Sequence, residues 1–231
     1  MVRRFYERVS VAPIADGFAV LLDAKPVLSP GKRALILPDE PLARSIADEW
    51  AGQGERVQPA SMPLTRLANT ALDTVVERRE AVIADVAKYA ATDMVCYRVE
   101  QPAVLRRRQA AAWDPLVLWA GQTHGAQFVV TSGLLPAAQP DAALQAIGRA
   151  VEGFDAFGLA ALHAATTALG SVVIALAMAA SRISAEQAWH ACLIEEIYQA
   201  EHWGEDADAR TRRANLQRDL TAAGRFLVRC R

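Results

Sequence analysis

From Ala156 to Ser181 the chain carries no Asp, Glu, Lys or Arg, and a run of that length must be buried either in lipid or in protein. About 20 apolar helical residues cross a hydrocarbon layer of roughly 30 Å, so length alone permits the bilayer. Composition favours the protein. The run is built mainly on alanine, holds His163, Thr166 and Thr167, and is divided by Gly170-Ser171. Alanine gains little from lipid, whereas small residues let helices approach closely. The segment therefore reads as two consecutive helices, or one bent one, buried on all sides at the centre of a helical domain. A membrane-associated helical protein built around residues 156 to 181 is the alternative.

With 231 residues, 52% of them hydrophobic and 22% charged, the chain is long enough to enclose a substantial core. Its 25 basic and 26 acidic side chains give a net charge of -1, which supplies no general field to draw nucleic acid or an anionic membrane. Cys96, Cys192 and Cys230 are far apart and form no C-x-x-C, so neither a zinc framework nor a disulfide scaffold is indicated, and a reducing cytoplasm is expected. The N-terminus lacks the apolar stretch of a secretory signal and reads as the start of the folded protein.

Up to about residue 38 the pattern is strand-like: Phe5 to Val11, Phe18 to Leu22, Pro26 to Leu28 and Ala34 to Leu37. Turn residues at Asp16-Gly17, Asp23 to Pro26 and Ser29 to Lys32 separate these runs, as in a small antiparallel meander. Asp39 then caps a helix with Pro41 in its first turn, and Leu42, Ile46 and Trp50 share its face before Gly52 and Gly54 end it. From Pro63 onward almost everything reads as helix. One helix carries Leu64, Leu67, Ala68, Ala71 and Leu72, the next presents Ala81, Val82, Asp85, Val86 and Tyr89, and a third carries Trp113, Leu116, Val117 and Trp119. A brief strand-like insertion follows at Ala126 to Thr131. Ser184 caps one long helix bearing Trp189, Leu193 and Ile197, and a last helix runs from about Glu205 to Leu227. The expected fold is α+β. A small antiparallel β-rich N-terminal domain with one helix (residues 1 to 60) precedes a larger all-α orthogonal bundle (residues 61 to 231).

Catalytic chemistry has little to stand on. There is no G-x-G-x-x-G after a strand, no phosphate loop around Gly31-Lys32, no G-x-S-x-G and no H-E-x-x-H. His163 in the apolar run reads as a core histidine. His190, four residues after Glu186, reads as half of a helix-surface pair, and the Glu-x-x-His spacing of di-iron bundles is absent. Arg106-Arg107-Arg108 and the group Arg210, Arg212 and Arg213 read as solvated helix faces. Adjacent carboxylates in Glu195-Glu196 and Glu205-Asp206 point about 100° apart on a helix, a poor geometry for an acid/base pair. No catalytic residue, metal site or cofactor is expected. The enzymatic alternative is a small-molecule site between the β and α parts using Asp73, Asp93 or His124. For Glu205-Asp206, after Gly204 at a helix start, two readings stand: carboxylates favoured by the helix dipole, or a Trp-Gly-acidic corner that meets a partner.

A set of short motifs adds a resemblance. Glu49 to Arg56 (EWAGQGER), Met62 to Asp73 (MPLTRLANTALD), Thr92 to Arg98 (TDMVCYR), Trp113 to Leu116 (WDPL), Gly125 to Phe128 (GAQF), Leu169-Gly170-Ser171 and Trp203 to Asp206 (WGED) resemble, in order, the signatures of the ATP-twelve family of ATP synthase assembly chaperones. Arg4-Phe5-Tyr6 and Gly17 to Asp23 extend the likeness over most of the chain. The run Ile194 to Gln199 departs from the family's pattern of an aspartate-glutamate pair and a tryptophan. Eukaryotic members carry a mitochondrial targeting segment, so a chain opening at the first strand resembles a bacterial member or a mature form.

What the resemblance implies is a molecular chaperone, not an enzyme. It would bind the free α subunit of the F-type catalytic head, keep it from aggregating before β joins, and act in the bacterial cytoplasm without nucleic acid, cofactor or membrane insertion. Glu205, with Trp203 and Asp206 beside it, matches the family's acidic client-binding corner. Trp50, Arg66 and Asn69 match signature positions. Trp50 is expected to be structural, and Arg66 and Asn69 to satisfy buried polar groups.

Overall fold

The computed structural model describes residues 2–133 and 137–228 of the chain; Cys230 lies outside these residues. Strands β1 (Val9–Ile14) and β2 (Gly17–Leu22) form an antiparallel hairpin in register from Val9↔Leu22 to Ile14↔Gly17. The other side of β2 is shared. Strand β3 (Lys25–Pro26) pairs with its end, Leu21↔Pro26, and β4 (Ile36–Leu37) with its beginning, Phe18↔Leu37. Gly17, at φ 144°, permits that junction, because a Cβ there would lie 2.3 Å from the Leu37 carbonyl oxygen. The first strand thus starts four residues later than the expected Phe5. Residues 5 to 8 are held by other means: the Asp23 carboxylate accepts from the Glu7 and Arg8 amides at 3.1 and 2.8 Å, and the Tyr6 hydroxyl donates to the Trp50 carbonyl at 2.6 Å. Those amide bonds, Arg8 first, hold the Asp23 pKa below the usual carboxylate range.

Helix α1 (Glu40–Ala51) lies on β1 and β2 and begins as its sequence dictates, with Asp39 accepting from the Leu42 amide at 2.7 Å. Leu42 and Ile46 are buried and Trp50 is half-buried. Helix α2 (Pro63–Thr70) continues through one π-helical turn, Ala71–Val75, into α3 (Val76–Ala87), which is kinked at Arg78. The buried stripe of α3 is Val82, Ile83 and Val86, continued by Ala90. Ala81 and Asp85 face solvent instead, and Asp85 pairs there with Lys88 at 2.7 Å. With Ile83 available to complete the stripe, burying a carboxylate would only cost energy.

Helix α4 (Ala103–His124) buries Trp113 and Leu116. Of the strand expected at 126 to 131 only β6 (Thr131–Ser132) forms, parallel to β5 (Tyr97–Arg98). At Val129 the Gln139 side-chain amide accepts from the backbone N–H at 2.8 Å and donates to the carbonyl at 3.0 Å, replacing a strand neighbour. Helix α5 (Asp141–Glu152) packs on α3.

The charge-free run becomes α6 (Ala156–Leu169) and α7 (Val172–Ala179), separated by Gly170 in the left-handed conformation at φ 67°. Residues 171 to 179 are all buried. Helix α6 touches α2, α3, α7 and α10 (Ala207–Leu227), with Phe157 stacked on Phe226 at 6.1 Å. No helix among the described residues is long and apolar enough to cross a membrane. The single helix expected after Ser184 is two: α8 (Ala185–Cys192), started by a Ser184–Gln187 capping box, and α9 (Ile194–Trp203), with the break at Leu193. Buried apolar residues from Tyr6 to Leu227 form one cluster. The architecture is α+β, a small antiparallel sheet followed by a mostly helical region.

Candidate partner-binding site

The turn between α9 and α10 is set by backbone chemistry. Gly204 ends α9 at φ 84°, ψ 172°, a region open essentially to glycine alone. Asp206 is the N-cap of α10, its carboxylate accepting from the Ala209 amide at 2.6 Å. Between these constraints Trp203 projects outward, with 77% of its surface exposed. An exposed tryptophan is unusual enough to suggest contact with another molecule, since its large apolar area gains most from being covered.

Glu205 is not the capping residue; that role falls to Asp206. The Glu205 carboxylate instead pairs with Arg213 and with Arg210 at 3.6 Å. Arg213 is 12% exposed and also reaches Glu196 at 3.6 Å, while Arg212 holds Glu196 at 2.8 Å. The structure therefore brings Trp203, Glu205 and Asp206 to one corner, around a shallow cavity of about 290 Å³ bounded by Glu196, Arg212 and Arg213. Charges of both signs lie beside one exposed aromatic ring, which suits a protein surface better than a small anion.

Trp50, Arg66 and Asn69 lie elsewhere. Trp50 meets Tyr6 edge to face at 5.7 Å, and among the described residues its buried Nε1–H has no hydrogen-bond partner. Arg66 is exposed and pairs with Asp219 of α10 at 3.2 Å, so it ties two helices at the surface. Asn69 Oδ1 is buried and unpartnered among the described residues. The buried polar connection near them belongs to Glu49, which the sequence reading passed over. Its carboxylate accepts from the Leu64 and Thr65 amides at 2.7 and 2.8 Å and from the Thr65 hydroxyl at 2.7 Å. Burial raises its pKa against those hydrogen bonds. A signal did exist: α2 opens at Pro63 behind Met62, which has no capping oxygen, so its free amides required an acceptor from another element. Glu49→Ala is expected to lower the unfolding free energy by about 1–2 kcal/mol and Glu49→Gln by less, as read by urea titration. Equal losses would show that these hydrogen bonds are not what joins α1 to α2.

The residues weighed for an enzymatic site are each taken up in structural contacts. Asp73 accepts from the Ser29 hydroxyl at 2.6 Å and the Gly31 amide at 2.8 Å, fastening the β3–β4 loop to the π turn. Asp93, fully buried, accepts from the Val95 amide at 3.1 Å and the Val173 amide at 3.0 Å. His124 packs edge-on against Trp119 at 5.1 Å, and burial lowers its pKa. Burial pushes the Cys96 and Cys192 thiols up to about 12, far from a reactive thiolate. Among the described residues no group of three or more His, Cys, Asp or Glu could hold a metal. Glu195 and Glu196 diverge, the first towards Gln109 on α4 and the second towards Arg212 and Arg213 on α10.

Comparison with known proteins places this arrangement. The family model of the ATP12 chaperone protein matches residues 3–121. The structure superposes on Atp12 from Paracoccus denitrificans with a TM-score of 0.90 at 40% identity, covering 97% of each chain. An aspartate-to-lysine mutant of that Atp12p matches equally, with a TM-score of 0.90, 40% identity, and coverage of 97% of this chain and 96% of the mutant. A candidate chaperone from Agrobacterium tumefaciens matches with a TM-score of 0.91 at 38% identity, covering 97% of this chain and 85% of that one. A family match over more than half the sequence, together with 40% identity over nearly all of it, leads to one conclusion: the chain belongs to the ATP12 chaperone family.

Proposed function

We propose that this protein is an ATP synthase assembly factor that holds the free α subunit of the F-type catalytic head until the β subunit covers it. The observation that carries the reading is Trp203, 77% exposed on a corner built by Gly204 and the Asp206 cap, in a chain of a chaperone family. A subunit waiting for its partner exposes apolar surface that invites aggregation. Covering it requires area and complementarity, with no nucleophile, cofactor or ATP. Release follows when β makes the larger interface. In this reading the helical part, residues 61 to 231, carries the client surface, and residues 1 to 60 support it through α1. The place of action is the bacterial cytoplasm.

Co-expression with the α subunit tests it. The parent should keep the α subunit in the supernatant. Trp203→Ala should weaken the complex by roughly 2–4 kcal/mol, about 30- to 1000-fold in Kd, and leave the melting temperature unchanged, since the ring packs on little. Glu205→Lys places a cation beside Arg210 and Arg213 and is expected to fold yet hold the client poorly, with Glu205→Gln intermediate. Full retention of α subunit by both Trp203→Ala and Glu205→Lys would remove this corner from the client surface.

A further inference from the structure

Helix α10 presents a regular face to solvent. Ala214, Arg218, Thr221, Arg225 and Val228 are all exposed and follow one another at alternating steps of four and three residues, the period at which a second helix stays in contact along a first. The stripe is about 21 Å long. Hollows flank it. From Ala214 to Arg225, α10 and the junction of α1 with α2 bound a cavity of about 600 Å³, walled by Ser45, Asp48, Pro63 and Leu64. From Thr221 to Val228, α10 and the turn from α7 into α8 bound another of about 630 Å³, walled by Met178, Arg182, Ile183 and Ala185. Thr221 and Arg225 border both, so the two hollows form one groove along the helix.

The walls decide what kind of chain fits. They are helices, and the helix-start amides beside the groove are already taken: Leu64 and Thr65 donate to Glu49, and Gln187 donates to Ser184. An extended segment laid here would bury its own N–H and C=O groups without partners, whereas a helix brings them already bonded. Charge narrows the choice further. Arg218 has only a long contact with Asp219, at 3.9 Å, and Arg182 and Arg225 have no ion pair among the described residues. Arg218 and Arg225 stand one heptad apart on the stripe. Of the two carboxylates in the α1 wall, Glu49 is turned to the α2 amides, and Asp48 has no ion pair among the described residues.

We propose that this groove seats an amphipathic helix of the client, whose contact face is small and apolar and carries two carboxylates one heptad apart, paired with Arg218 and Arg225. Arginine suits the task, because its stem lies along apolar surface while its guanidinium grips a carboxylate in two places. A cation at the edge of the same client helix meets Asp48. The groove also continues the corner at Trp203: Ala209, Arg212 and Arg213 of α10 border that cavity, and the groove opens at Ala214. A client seated on Trp203 therefore meets the groove next along the same helix. This inference rests on the chaperone reading for its client, whereas the groove itself can be tested without one.

Two hydrocarbon-stapled helical peptides of about 18 residues, built of alanine, leucine, lysine and two glutamates, test the groove. One carries the glutamates seven residues apart on its apolar face, and its isomer carries them on the opposite face. Fluorescence anisotropy with the full chain should show the first binding about 10-fold or more tighter, ~1.4 kcal/mol. The preference should vanish in Arg218→Glu/Arg225→Glu, whose exposed positions leave the melting temperature unchanged. Should that variant unfold, Thr221→Trp obstructs the same seam from an exposed site. Equal binding of the two peptides overturns the proposal. So does a dimer of the free chain that Arg225→Glu dissociates in sedimentation, since the occupant is then a second copy. For the client itself, purified α subunit is diluted from denaturant and light scattering reports its aggregation; the double variant should lose about 10-fold or more in apparent affinity. If it protects as well as the parent, the client does not use the groove and the proposal falls. If even the parent fails to protect, the chaperone reading fails, and the peptide pair still decides the groove.

Discussion

Replacing Asp93 with alanine is expected to lower the unfolding free energy by about 2–6 kcal/mol, since it strands two fixed backbone donors in a fully buried site. The Val95 amide donates to one carboxylate oxygen and the Val173 amide to the other, while the Ser171 hydroxyl donates to the same group. Ser171 in turn caps α7, accepting from the Ile174 amide at 3.0 Å. One buried carboxyl group therefore fastens the segment ahead of β5 to the first turn of the most deeply buried helix, 80 residues along the chain. The helix-start amides favour the charged form, but burial outweighs them and raises the Asp93 pKa from 3.8 to about 6.

The sign of the pH dependence follows from that shift. Between about pH 4 and pH 6 the native state holds a proton on Asp93 that the unfolded chain has released, so this group's contribution to stability falls as pH rises through that window and is level above it. The deficit of Asp93→Ala relative to the parent should accordingly be larger at pH 4.5 than at pH 7.5, by on the order of 2 kcal/mol. Urea titrations at the two pH values measure it, with Asp93→Asn as a pH-insensitive comparison. A deficit that grows towards pH 7.5 would mean that the carboxylate form is the one the fold prefers.

What the sequence disclosed and what it hid divide by the range of the interactions concerned. Asp39 before Pro41, Ser184 before Gln187, and Gly170-Ser171 inside an apolar run each act within four residues, and each forms the cap or break that local chemistry requires. The break at Leu193 was not visible, because a leucine there continues the apolar period that Trp189 and Ile197 suggest. Glu49 enters the sequence reading only as a letter in a motif, and Asp93 as a motif letter and a candidate for an enzymatic site, neither as a structural tie. Their roles depend on amides 80 residues away for Asp93 and 15 and 16 residues away for Glu49, which no local pattern encodes. The same limit applies at the corner. Helix-start chemistry accounts for Asp206, but the pairing of Glu205 with Arg213 emerges only once α10 brings its second turn back beside α9.

Two tryptophans turn that distinction into a second large effect. The helix face that Trp50 shares with Leu42 and Ile46 makes it the expected anchor between the two parts of the fold, with a loss of about 3–5 kcal/mol expected on truncation. The structure gives that weight to Trp113. It is 1% exposed, its Nε1–H donates to the Ala191 carbonyl at 2.8 Å, and the Arg98 guanidinium lies over its ring at 5.0 Å. Arg98 is itself buried, held by the Asp114 carboxylate at 2.6 Å. Trp113→Ala opens a cavity between α4 and α8, leaves the Ala191 carbonyl without its donor and removes the aromatic face from a buried cation. The cavity accounts for about 3–5 kcal/mol and the carbonyl for about 1 more. At the slope usual for domains of this size, the melting temperature should drop by on the order of 10 °C. Trp50 is half-buried and its Nε1–H has no acceptor among the described residues. Its truncation forfeits part of an apolar contact and no side-chain hydrogen bond, for a smaller loss of about 1–3 kcal/mol. Thermal melts of the two variants side by side decide the matter. A Trp50→Ala protein that melts at or below Trp113→Ala would place the main anchor on α1 and reverse this assignment.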